Sequence, residues 1–230
     1  MSRALAWPPR APEAIEQAMF DAVLFDLDGT LLDSIALILE SYRHTLAAHG
    51  LPPRSDEDVL SGLGTTLEAQ FRRWGYEAEL DALVATYVEH NLRVHDALVR
   101  PYEGVSEIVH ALHARGVPLG LVTSKRRRGG VEGLRALGLE GLFGVEIYGD
   151  EVARPKPDPD PVHRALAGLG LAPSRRVTFV GDAIHDVEAG RAAGIHTSAV
   201  TWGSGRLDEL RAADAIAHDA RGLARLLLGA

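Results

Sequence analysis

Asp26 and Asp28 stand two residues apart at the end of an apolar run, Ala22-Val23-Leu24-Phe25. The run reads as a buried strand. Side chains alternate along a strand, so both carboxylates leave on one side with Leu27 opposite, and Gly29 then lets the chain turn sharply. Two carboxylates at the end of a buried strand repel each other and lose water, which is costly unless a cation or a reacting group uses them. Asp and Gly are also ordinary turn residues, so the pair gains meaning only beside other strings. Three more fit it. In Leu121-Val122-Thr123-Ser124-Lys125 a hydroxyl stands at the carboxyl end of a strand, where it can donate to a phosphoryl oxygen beside a backbone N–H. In Arg154-Pro155-Lys156-Pro157-Asp158-Pro159-Asp160-Pro161 alternating prolines deny helix. They hold Lys156 in a stiff loop that can aim a point charge at carboxylates and a phosphoryl group. In Gly181-Asp182-Ala183-Ile184-His185-Asp186 two further carboxylates follow an apolar strand and can face one pocket. They are hard oxygen ligands suited to Mg²⁺.

The elements that must position these strings alternate. Ser34 reads as a helix cap, and Ile35, Leu37, Ile38, Leu39, Tyr42 and Leu46 recur at helical spacing until Gly50 and Pro52-Pro53. Helices are expected over 56–60, 66–74 and 79–95, with a loop at Ser61 to Thr65. No strand is expected between Ile35 and Val99, so this stretch reads as an inserted helical bundle. Beyond it, helices are expected over 105–114, 131–137, 161–169, 186–193, 207–213 and 220–228. Strands are expected at 119–122, 143–148, 177–180, 198–201 and 215–217. Such alternation predicts an α/β fold, a Rossmann-like parallel sheet with helices on both faces and its site at the carboxyl ends of the strands. The expected organisation is a poorly ordered extension over 1–18, a core from 19–34 and 101–230, and a helical cap over 35–100.

Together and in this order, the stretch from Asp26 through Thr30 to Ser34, the Thr123 string, the Lys156 string and the Asp182–Asp186 string resemble the signatures of the haloacid-dehalogenase-like superfamily, from Ala22 to the chain's end. The helical insertion is similar to the small-cap subgroup that includes phosphoglycolate phosphatase and beta-phosphoglucomutase. The run from His95 to Val105, followed by Val122 to Arg127, resembles the bacterial pyrophosphatases associated with HPr kinase, although phosphoglycolate phosphatases share most of these features. The resemblance implies Asp26 as nucleophile, Asp28 as acid and base, Thr123 as phosphoryl ligand and Lys156 as electrostatic clamp. It implies Mg²⁺ held by Asp26, Asp28 (through its backbone carbonyl), Asp182 and Asp186. Substrate contacts are expected from Thr30, Thr123, Ser124, Lys156 and Gly64, the last in a cap loop, Gly62 to Thr65, that would set specificity. Ala183 departs from the pattern, since many relatives carry serine or threonine there. The implied reaction is hydrolysis of a small phosphorylated metabolite or pyrophosphate through an aspartyl-phosphate, with pyrophosphate and phosphoglycolate the first substrates to test. Asp28 favours phosphoryl chemistry over dehalogenation, because attack on carbon with loss of halide needs neither a proton nor a metal.

The bulk numbers agree. Net charge is −8, with 46% hydrophobic and 24% charged residues. Nucleic acid and anionic membranes repel such a chain, so the expected partner is a small phosphorylated substrate, taken in a locally positive pocket by a monomer or homodimer. The absence of cysteine excludes disulfides, thiolate zinc sites and cysteine nucleophiles, and fits the cytoplasm. No apolar run approaches the roughly 20 residues of a membrane span. Met19, just before the first strand, is an alternative start. Rival readings are a phosphomutase, an interaction protein on the same fold, and a receiver-like module, which would have no use for a cap of this size. Lys125 to Arg128 reads as a solvated basic face or, since it follows the Thr123 string, as a group that helps attract an anionic substrate; His110 and His113 read as surface groups, Trp74 and Tyr87 as cap core, and His185 as a neighbour of the site without a role.

Overall fold

A computed structural model of the protein describes residues 19–229, so the extension expected over 1–18 lies outside the described residues. Six strands make one parallel sheet: β1 (Ala22–Phe25), β4 (Leu119–Val122), β5 (Val145–Ile147), β6 (Val177–Gly181), β7 (His196–Val200) and β8 (Ala215–Ala217). Their spatial order is β5-β4-β1-β6-β7-β8, every pairing parallel. The short apolar runs form central strands because both faces are covered. On one face, α5 (Val105–Ala114), α6 (Arg127–Leu137) and α10 (Ala220–Leu228) bury Ile108, Val109, Leu134, Leu223 and Leu227 against Val23, Phe25 and Leu121. On the other, α7 (Asp160–Gly168) and α8 (Ile184–Ala192) bury Val162, Leu166 and Ala189 against Leu24 and Phe179. A short helix, α9 (Leu207–Leu210), packs near the β7 side through Leu210.

Between β1 and α5 four helices gather around a separate apolar cluster: α1 (Ile35–Ala48), α2 (Asp56–Leu60), α3 (Leu67–Arg73) and α4 (Leu80–Leu98). No strand falls among them, as the sequence predicts. Tyr42, Phe71, Trp74 and Tyr87 meet there with ring centroids 4.7 to 6.4 Å apart. Two-residue strands, β2 (Leu32–Asp33) and β3 (Arg100–Pro101), pair antiparallel at the two chain crossings into this block. They are too short and polar for sequence periodicity to reveal.

One boundary shifts in an informative way. Helix α6 begins at Arg127, four residues before its apolar pattern starts. Glycines make up its first turns because the packing leaves no room: a Cβ on Gly130 would sit 2.3 Å from the Tyr148 ring. Here close approach outweighs the poor helix propensity of glycine.

Candidate active site

Strand β1 lies between β4 and β6, and Phe25 is level with Leu121 and Val180 across the three strands. The residues one or two positions further on, Asp26, Thr123 and Asp182, therefore leave the sheet together at its carboxyl edge. The chain turns outward in opposite directions on either side of β1, which opens a crevice there. All three are nearly buried, at 4%, 5% and 2% exposure. The loop before α7 brings in Lys156, and the first turn of α8 brings in Asp186, both equally buried.

Carboxylate oxygens of Asp26, Asp182 and Asp186 lie within 4.8 Å of one another. Lys156 is the cation among them. Its Nζ donates to Asp186 Oδ1 (2.5 Å) and to the Val122 carbonyl (3.3 Å), and sits 3.1 Å from Asp26 Oδ1. Fully ionised, three carboxylates beside one ammonium would leave two buried negative charges, a state that burial opposes. Burial pushes the Asp26 carboxyl up to about 8; Lys156 opposes this, and Asp186, Asp182 and Asp28 add to it. Asp182 is pushed up to about 6 by burial and by Asp186, against the hydrogen bonds from Ser204 and Thr30. For Lys156, burial acts downward, but Asp186 and Asp26 outweigh it and hold the ammonium firmly charged. Asp26 Oδ1 has no hydrogen bond of normal geometry despite its burial. A hard divalent cation fits this cluster: it supplies two positive charges to an all-oxygen donor set and a partner for that oxygen.

Asp28 faces elsewhere. Its carboxylate accepts from Lys125 Nζ at 2.8 and 2.9 Å and from Ser34 Oγ at 2.6 Å. Ser34, expected to cap α1, spends its hydroxyl here and makes no cap hydrogen bond. The hydroxyl of Thr30, expected at the substrate, donates to Asp182 Oδ1 (3.1 Å). Thr123 accepts the Lys125 backbone N–H through its hydroxyl oxygen (3.2 Å), which leaves its own proton for another acceptor. Asp186 Oδ2 accepts the Ala183 N–H (3.0 Å). Ser124 Oγ donates to the Gly64 carbonyl (2.6 Å) and so ties the loop before α3 to the loop after β4. Gly64 has φ of +88°, and a Cβ there would lie 2.9 Å from Ala183 Cβ and 3.0 Å from His185 Nδ1. The missing Cβ of Gly64 is what lets that loop come down onto Ala183 and His185 on the core side.

Two contacts escaped sequence reasoning, that of Lys125 with Asp28 and that of Ser204 with Asp182. Lys125 separates from the basic run and turns inward, with its side chain 10% exposed. The loop after β7 supplies Ser204, whose backbone N–H (2.8 Å) and hydroxyl (3.1 Å) both donate to Asp182 Oδ2. Gly203 and Gly205 flank it because a Cβ at either would strike Asp182, at 2.2 Å and 1.9 Å. The Gly-Ser-Gly string was the available signal, but such strings mark ordinary turns far more often than carboxylate supports. Above these groups lies a cavity of about 100 Å³ lined by Asp26, Asp28, Thr123, Ser124, Gly64 and Asp182, among others. It joins buried carboxylates able to hold a cation, a hydroxyl and an ammonium able to hold an anion, and a carboxylate at the rim able to carry a proton.

The model of the haloacid dehalogenase-like hydrolase family matches residues 23–200. A protein named pyrophosphatase PpaX from Bacillus velezensis is 43% identical over 182 residues, covering 79% of this chain and 83% of its own. A PpaX from Halalkalibacterium halodurans is 39% identical over 182 residues, covering 79% and 84%. The solved structure of a protein described as a predicted phosphoglycolate phosphatase, from Haemophilus somnus, superposes with a TM-score of 0.80 at 26% identity, over 90% of this chain and 98% of that one.

Proposed function

We propose that this chain, which belongs to the haloacid dehalogenase-like hydrolases, is a Mg²⁺-dependent phosphohydrolase of small substrates that works through an aspartyl-phosphate on Asp26. The observation that carries the proposal is the convergence of Asp26, Asp182 and Asp186 within 4.8 Å around the single ammonium of Lys156. Pyrophosphate and phosphoglycolate are the first candidates; the names of the sequence relatives support the one and that of the structural neighbour the other.

In this reading Asp26, Asp182 and Asp186 would hold Mg²⁺, with the backbone carbonyl of Asp28. Bound there, the ion would supply charge neutralisation between the Asp26 carboxylate and the substrate anion. Asp26 attacks phosphorus in line, and the bond from phosphorus to the leaving oxygen breaks. Thr123 donates its free hydroxyl proton to a phosphoryl oxygen, and Lys156 holds Asp26 and Asp186 in place with its charge near the reacting group. Asp28 gives a proton to a leaving oxygen that needs one. It then takes a proton from the water that attacks the aspartyl-phosphate, and orthophosphate departs as the Asp26 carboxylate is restored. Thr30 and Ser204 orient Asp182. The block over residues 35–100 serves as a cap on the core of 19–34 and 101–230, hinged at the β2–β3 pairing and latched by Ser124 on Gly64. Closure excludes water from the cavity. Among the described residues no helix is long and apolar enough to cross a membrane, and the cysteine-free chain suits a cytoplasmic enzyme, monomeric or homodimeric.

Phosphate release from pyrophosphate, phosphoglycolate and para-nitrophenyl phosphate, with and without Mg²⁺, tests the proposal. A rapid acid quench should trap phosphate on Asp26. Release that survives chelation, or that persists in Asp26→Asn, refutes it.

A further inference from the structure

Asp182 stands in a slot between two loops. A Cβ on Gly29, in the loop after β1, would lie 2.3 Å from Asp182 Oδ2, and one on Gly203, in the loop after β7, would lie 2.2 Å from the same oxygen. Backbone from both loops therefore closes on this carboxylate, and the gap between them sets where its oxygens point. Among the described residues one hydrogen bond runs directly between the two loops: Trp202 Nε1 donates to the Thr30 carbonyl at 3.1 Å. We propose that Trp202 is a positioning residue for Asp182, and that by fixing this gap it sets the affinity of the site for its divalent cation. This rests on the cation site proposed above and goes beyond it, to a residue that touches neither cation nor substrate.

The tie is placed to act on both arms that hold Asp182. Thr30, whose carbonyl takes the indole N–H, donates its hydroxyl to Asp182 Oδ1 at 3.1 Å. Ser204, two residues beyond Trp202, gives its backbone N–H and hydroxyl to Oδ2 at 2.8 and 3.1 Å. One side chain thus links the donors of the two oxygens. Its own seat is also held. The carbonyl of Trp202 accepts from the Tyr102 hydroxyl at 3.4 Å, and the two rings lie 6.0 Å apart at 55°. Tyr102 follows β3, where the chain returns from the helical block, so the indole rests against that crossing.

The site needs such a restraint. Oxygens of Asp26, Asp182 and Asp186 lie within 4.8 Å of one another, and ionised carboxylates this close push apart. Without a cation between them, an unrestrained Asp182 would swing away, and binding would have to order it again. Donors that hold it in place beforehand remove that cost, which is why the outer partners of metal ligands govern affinity. A tryptophan that only filled space would have no use for this hydrogen bond. Trp202 is partly buried and packs on the core cluster, an end that phenylalanine or leucine serves as well. Its indole N–H is what the two loops require.

Calorimetric titration of Mg²⁺ into the metal-free protein tests this. Trp202→Phe keeps a ring and removes the N–H; it should raise the Kd for Mg²⁺ about tenfold. At saturating Mg²⁺ its kcat should fall by about threefold or less, so that the loss sits in affinity. Thr30→Val removes the hydroxyl on Asp182 and should also raise Kd about tenfold. Because Trp202 acts chiefly through Thr30, the double variant should reach roughly 10- to 20-fold, not the roughly 100-fold of independent effects. Benzothienylalanine at position 202, which replaces only the N–H by sulfur, should match Trp202→Phe and keeps the test open should that variant misfold. Circular dichroism in chelator confirms the fold of each protein. A wild-type Kd in Trp202→Phe, a fall in kcat with Kd unchanged, or fully multiplicative effects in the double variant overturn the proposal and leave the cation site intact. That site fails separately, if the wild type binds no Mg²⁺.

Discussion

Replacing Asp26 by asparagine should abolish turnover and, without Mg²⁺, make the protein more stable. Asp26 is 4% exposed, and its carboxyl is pushed up to about 8, by burial first and then by Asp186, Asp182 and Asp28, against Lys156. A carboxyl raised in the folded state contributes stability that is complete below the unfolded value near 4 and is lost as pH rises through about 8. Each pH unit inside that window is worth about 1.36 kcal/mol. From pH 5 to pH 7 the metal-free wild type therefore loses up to about 2.7 kcal/mol that a non-titrating asparagine keeps. Relaxation around the cluster and its coupling to Lys156 reduce this to roughly 1–2.5 kcal/mol. For a chain of this length each kcal/mol moves Tm by about 2–4 °C, so the variant should melt several degrees higher at pH 7.

The assay is thermal unfolding of both proteins in chelator at pH 5, 6, 7 and 8, repeated with millimolar Mg²⁺. The gap should widen with pH in chelator. It should shrink or reverse in Mg²⁺, since a ligand that binds only the folded state stabilises it, and the wild type binds it better. A variant less stable than wild type at pH 7 in chelator, or a gap flat from pH 5 to 8, refutes the claim that this cluster carries uncompensated charge.

Lys156→Met removes the one cation from three clustered carboxylates; it should cost about 3–5 kcal/mol in urea unfolding at pH 8, and less at pH 5, where the carboxyls take up protons. Gly203→Ala puts a Cβ 2.2 Å from Asp182 Oδ2; it should cost about 1–3 kcal/mol by thermal melting and weaken Mg²⁺ activation in titrations of activity against metal. Asp214 has its carboxyl held down at about 2: burial acts upward, but Arg175 and the N–H and hydroxyl of Thr197 outweigh it. A depressed carboxyl contributes stability above pH 4 that disappears as pH falls to 2. Its side chain is 30% exposed, so Asp214→Asn should lose only about 1–2 kcal/mol at pH 7, with the difference from wild type closing over that window in acid melts.

What could be read in the sequence follows from what its patterns encode. Apolar runs such as Ala22–Phe25 and Leu119–Val122 announce buried strands, and the residues just beyond them inherit their places from sheet order alone. That is why Asp26, Thr123 and Asp182 were legible before any coordinates. Lys156 was legible because prolines on both sides stiffen its loop. Partners chosen by tertiary contact were not. That Ser34 and Thr30 donate their hydroxyls to Asp28 and Asp182 depends on acceptors that only the fold places beside them. Ser204 lies 22 residues from the carboxylate it supports, in a string that reads as any turn would. The contact of Lys125 with Asp28 was hidden by its company: three arginines follow it, and a basic run reads first as a solvated face.

An acidic protein that takes an anion needs its positive charge placed locally. Long-range charge works against the approach of a phosphate to this surface. At the short distances inside the cavity the order reverses, because low dielectric magnifies the nearest charges and solvent screens the distant ones. Buried under the floor, Lys156 neutralises carboxylates; on the rim, Lys125 and Arg126 are paired with Asp28 and Glu68 yet keep donors free. Each cation is held by an acid that serves the site or anchors the helical block, so positive charge is positioned without being consumed. The same pairing ties charge to shape. Glu68 and Gly64 lie on the helical side and Arg126 and Ser124 on the core side, so the contacts that fix the cations also hold the two parts together.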